Sequence, residues 1–202
     1  MKKLILTSMA LIAIMACEKK ETTNANSSAD STAVAADTTV TMTDSTAVAP
    51  TTDQSRSELT DQDKKFADAA AQGGMAEVML GELASSNGTN ASVRSLGAMM
   101  VKDHGKANEE LKGWASAAGY TLPSAVNAEQ QKTYDELKAK KGAEFDRMFA
   151  EVMVNDHKKV LAAFKKESTD GSEASLRSFA TKTVPTLEHH LMESEKTRSA
   201  VK

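Results

Sequence analysis

With 202 residues and a hydrophobic fraction of 40%, the chain has room for one ordinary domain and a tail, which excludes a second independent core. Lys2 and Lys3 fall in a leader segment, so 23 of the 25 basic residues remain against 28 acidic ones, a net charge of −5. No basic patch is visible and the Lys-rich stretches at 138–141 and 158–166 are interleaved with acids, so nucleic acid is excluded as a partner.

The leader has a basic start, Lys2-Lys3, and an apolar stretch from Leu4 to Met15 that is too short to span a bilayer as a stable helix. Residues 1–16 therefore read as an export signal. It ends at Ile14-Met15-Ala16-Cys17, which resembles the lipobox of bacterial lipoproteins, and Cys17 is the sole cysteine. The resemblance implies lipidation at Cys17 and hence a membrane partner reached through an N-terminal lipid anchor. The expected address is that of an outer-membrane lipoprotein of the cell envelope, facing the periplasm or the cell surface. From Cys17 to residue 57 the chain is dominated by Thr, Ser, Ala, Asp and Asn and holds no aromatic residue, Leu or Ile. It buries too little apolar surface to offset the entropy of ordering and reads as a disordered tether, about 35 Å from end to end. Asp30-Ser31-Thr32 and Asp44-Ser45-Thr46 resemble bacterial O-glycosylation acceptors, although a tail of this composition also yields such triplets by chance.

Residues 58–202 read as helices throughout. Thr60-Asp61-Gln62-Asp63 has the spacing of a helix start, and Phe66, Ala70, Gly73, Glu77, Leu80 and Ala84 then recur on one stripe. The Gly73-Gly74 pair suits a close approach by a neighbouring helix. Asn87-Gly88-Thr89-Asn90 turns the chain into a second, antiparallel helix with Val93, Gly97, Met100, His104, Leu111 and Ala118 inward, and Asp103 rotated about 100° away. Beyond Leu122-Pro123, a polar connecting helix over Asn127–Lys141 stops at Gly142, giving a long crossover between the second and third bundle helices. The third helix, about Ala143 to Glu167, faces Phe145, Phe149, Met153, His157, Val160 and Phe164 inward. A fourth, capped by Ser172, does the same with Leu176, Ala180, Thr183, Leu187, His190 and Leu191, and Pro185 should kink it. Ser175 to Ala180 echoes Ser92 to Gly97, as a duplicated helical hairpin would.

Gly73-Gly74-Met75-Ala76-Glu77-Val78, Met100-Val101-Lys102-Asp103-His104, Met153-Val154-Asn155-Asp156-His157 and Pro185-Thr186-Leu187-Glu188-His189-His190 occur in one order over residues 60–198. In this the chain resembles the bacterial domain of unknown function 4142. The resemblance implies an all-α, ferritin-like four-helix bundle of the cell envelope, and it aligns the family histidine with His190.

Glu77, His104, His157 and His190 give one inward ligand-type side chain per helix, a set able to hold Zn, Cu, Mn or Fe. By residue count His104 and His157 lie level, Glu77 about one turn higher and His190 about two. Ferritin-like di-iron sites take Glu-x-x-His from each of two helices, whereas Val101, Val154, Thr186 and Leu187 stand at those positions here. The duplicated Met-x-x-x-His places Met100 beside His104 and Met153 beside His157, donors that suit copper and equally fill an apolar core. No nucleophile elbow, phosphate loop or paired Cys motif is present, so no catalytic residue is assigned. The sequence supports two functions: a non-catalytic scaffold or stress-related interaction module, and a metal-binding protein for sequestration or redox protection. In the first the histidines are structural, and in the second they hold a divalent or copper ion.

Overall fold

A computed structural model describes residues 58–202; the export signal, Cys17 and the tether to residue 57 lie outside the described residues. Among the described residues five helices follow one another: α1 (Asp61–Asn87), α2 (Ala91–Ala118), α3 (Ala128–Lys138), α4 (Gly142–Asp170) and α5 (Ala174–Ala200). The four long ones form the bundle. Hairpins α1/α2 and α4/α5 pack together through α2 on α5 and α1 on α4, while α3 crosses back along α1 and α4. This is the ferritin-like arrangement, and no described helix is long and apolar enough to cross a membrane.

The caps explain both the helix starts and the pairing of the hairpins. Thr60 and Asp63 form a reciprocal capping box at the start of α1. Asp63 is fully buried and also accepts from the backbone and hydroxyl of Ser172 in the α4–α5 turn. At the other end Asp146 of α4 accepts from the Thr89 and Asn90 amides and from the Thr89 hydroxyl in the α1–α2 turn. Each hairpin thus ties its first helix to the other hairpin's turn, which makes α2 parallel to α4 and α1 parallel to α5. Arg94 donates to the Gly88 and Thr89 carbonyls, and Arg177 to those of Gly171 and Ser172. The echo between the two hairpins is therefore a repeated turn lock.

Several local expectations need correction. The connecting helix is shorter than Asn127–Lys141, since Asn127 is its cap and it ends at Lys138. Gly142 opens α4, in a left-handed conformation (φ 57°) that redirects the chain there. Glu173, not Ser172, caps α5 by accepting from the Leu176 amide, because Ser172 is committed to Asp63. Pro185 lies inside α5, as expected, at an exposed position. Backbone meets backbone between α1 and α2 at Gly81 and Gly97, where a Cβ on either would stand 2.6 Å from the other's carbonyl oxygen; of the Gly73-Gly74 pair, Gly74 is pressed by the Asn108 side chain of α2, whereas a Cβ on Gly73 meets nothing.

Two apolar clusters fill the interior. One, towards the α4–α5 turn, gathers Phe66, Leu111, Phe164, Phe179 and Leu187. The other, towards the α1–α2 turn, gathers Leu80, Leu96, Met100, Phe145, Phe149 and Met153, with Leu137 of α3 packed in. Along each helix the candidate ligands fall where one cluster gives way to the other.

Candidate metal centre

Counting 1.5 Å per residue from the observed helix ends, His104 lies about 20 Å from the α1–α2 end of the bundle, His157 about 22 Å and Glu77 about 15 Å. His190 is 16 residues into α5, so in a bundle about 42 Å long it comes to about 18 Å from that same end. It is level with the other histidines, not two turns above them.

All three imidazoles are buried, with ring centroids 5.1 to 5.6 Å apart, and one ring nitrogen from each lies within 4.8 Å of the others. Their outer partners assign the tautomers. Nδ1 of His157 lies 2.9 Å from the Met153 carbonyl, which can only accept, so it carries the proton and Nε2 is left as a lone pair. Nε2 of His190 lies 3.1 Å from the Asp103 carboxylate, so it donates there and Nδ1 is the lone pair. These two lone pairs face one another across 3.3 Å. Nε2 of His104, fully buried, has no hydrogen-bond partner.

Such an arrangement repels itself unless a cation stands within it. A shared proton is one candidate, but burial and the neighbouring rings oppose it. Burial first, then His157 and His190, hold His104 well below the usual histidine range. Burial and His190 bring His157 down to about 4. Burial also lowers His190, against the opposing pull of Asp103.

Glu77 stands just behind the triad. Its Oε1 is 3.7 Å from Nδ1 of His157, the nitrogen turned away from the other rings, and its Oε2 is buried without a partner. Burial, with Asp156 second, pushes its carboxyl well above the usual carboxylate range. The four inward side chains thus meet as three converging imidazoles at one level and one peripheral carboxylate reaching in from about a turn away. Met100 and Met153 are wholly buried in the apolar cluster, and Met153 serves the site through its carbonyl.

Asp103 is the residue that sequence reasoning passed over, because its position on the wheel turns it from the stripe of its own helix. Its partner is on α5. The available signal was chemical: a histidine that holds a metal through one nitrogen needs an acceptor at the other.

The family model described as "Domain of unknown function (DUF4142)" matches residues 47–197. Among solved structures, a DUF305 fragment from Deinococcus radiodurans superposes with a TM-score of 0.62 at 15% identity, covering 70% of this chain and 98% of that one. At that identity the likeness concerns the fold alone. No curated protein matches the chain.

Proposed function

Because the chain belongs to the DUF4142 family, whose name states no role, we propose a function from the site itself: the bundle binds one transition-metal ion through His104, His157 and His190. The observation that carries this is the pair of lone pairs facing each other across 3.3 Å, with tautomers held from outside by Met153 and Asp103. Two nitrogens each about 2.0–2.1 Å from a tetrahedrally held zinc ion are themselves about 3.3–3.4 Å apart. The Asp103–His190 pair is the kind of outer contact that orients a ligating imidazole. Nitrogen donors with one nearby carboxylate suit Zn, Cu, Fe or Mn by softness, and differ from the carboxylate-rich donor set of di-iron ferritin-like proteins. A purely structural core has no use for a partnerless Nε2 on His104 and a partnerless Oε2 on Glu77, each costing about 1–3 kcal/mol.

This reading favours sequestration or redox protection over a scaffold or stress-related interaction module. It includes the expected lipid anchor at Cys17 and tether, which would hold the bundle off the outer membrane. The test is metal content by mass spectrometry of the untagged full chain, beside a His104→Ala/His157→Ala double variant. Close to one equivalent in the parent and none in a folded variant is the expected result. No metal in either, with no thermal shift on adding Zn, Cu, Mn or Fe, overturns the proposal.

A further inference from the structure

The metal reading leaves open how an ion reaches nitrogens buried at mid-bundle, and the crossover bears on that question. Helix α3 lies along α1 and α4, and between the three is a cavity of about 200 Å³ whose lining includes Glu77, Asp156, Glu129, Gln130 and Lys159. Its carboxylates form a graded series. Glu129 is exposed, Asp156 half-buried and Glu77 only 4% exposed. Glu77 borders a second, smaller cavity of about 60 Å³, otherwise largely apolar, which His104 also lines. One buried carboxylate with a free oxygen therefore stands between the outer cavity and the histidines.

We propose that α1, α3 and α4 frame an acidic entry port through which a divalent cation passes from Glu129 to Asp156 to Glu77 and on to the histidine cluster. The proposal rests on the metal reading and assigns the crossover helix a role in loading. Charge selects this route over the other opening. The cleft between α2 and α5 is larger, about 300 Å³, and reaches His104 and His190 directly, but Asp103 and Glu110 there are balanced by Lys106 and Lys182. The port sets Glu129 and Asp156, with Glu77 behind them, against the single Lys159. An uncompensated acidic cleft with low-dielectric walls raises the local concentration of cations, whereas a balanced one does not. Gly73, which has no side chain and borders both cavities, keeps the passage beside Glu77 open.

The experiment is stopped-flow loading of Zn²⁺ into the metal-free full chain, parent against Asp156→Asn and Glu129→Gln, with Glu110→Gln at the α2–α5 cleft as the comparison. Removing one port carboxylate should slow loading about fivefold without changing the final stoichiometry, and added salt should narrow that gap. Glu110→Gln should load like the parent. Glu129 is exposed, so its variant reports on the port even if Asp156→Asn loses stability. Port variants that load at the parent rate, or a Glu110→Gln variant slowed as much as they are, would overturn the proposal while leaving the metal site standing. A parent that takes up no Zn²⁺ overturns the metal reading, and the port with it.

Discussion

Replacing Glu77 by Leu should make the metal-free protein more stable. The Glu77 carboxyl is buried, one of its oxygens has no partner, and its nearest charged-type neighbour is 3.7 Å away on a nitrogen already bonded to a carbonyl. An unsatisfied buried polar atom costs about 1–3 kcal/mol, and exchanging it for an apolar side chain of similar size recovers that cost. The two cavities beside Glu77 leave room for the branched side chain. In a domain of this size the gain corresponds to a rise in Tm of about 3–10 °C. The sign with pH follows from the raised carboxyl. A group with a folded-state pKa above its unfolded value of 4.5 contributes fully below that value and loses its contribution as pH rises, so the advantage of Leu should be smaller at pH 4.5 than at pH 8. The histidines are common to both proteins, so their own titration largely cancels in the comparison. Urea unfolding followed by circular dichroism in the presence of a chelator, at both pH values, measures the gap. A Leu variant less stable than the parent by more than about 1 kcal/mol, or a gap independent of pH, would refute the reasoning.

Other expectations follow from the same geometry. Asp103→Asn should weaken metal binding about 10–100-fold, measured by chelator competition, while leaving the apo fold intact; unchanged affinity would mean that Asp103 does not orient His190. The metal-free Glu77→Leu variant, free of the opposing Glu77 carboxyl, should lose stability as pH falls from 6.5 towards 4. His157 has its folded pKa lowered to about 4, so its contribution is present above 6.5 and lost on acidification, about 3 kcal/mol in all, and His104 and His190 act in the same direction. Urea midpoints that stay flat over that window would contradict this. Gly97→Ala should destabilise the bundle by about 1–3 kcal/mol, read from the same unfolding curves, because its Cβ would press on the Gly81 carbonyl; Gly73→Ala, with open space around it, should cost nothing comparable.

The four-helix pattern was legible because what makes a helix is local. Apolar stripes at 3.6-residue spacing, the Thr60 and Asn90 caps and the long polar connection are all written in neighbouring residues, and they implied the bundle and its crossover. The inward orientation of Glu77, His104, His157 and His190 followed from the same stripes. Their meeting did not, because it depends on the axial register of four helices, in which errors of a few residues at several helix ends add up. The contacts that specify the site and the assembly join residues far apart in sequence: Asp103 with His190, Asp63 with Ser172, Asp146 with Thr89, Gly81 with Gly97. None has a periodic signature, since each is fixed by how one helix is rotated and displaced against another. The sequence by itself therefore determined the elements, their order and the side chains turned to the core. Tertiary structure alone decided which nitrogens face one another, because that choice is made by partners on other helices.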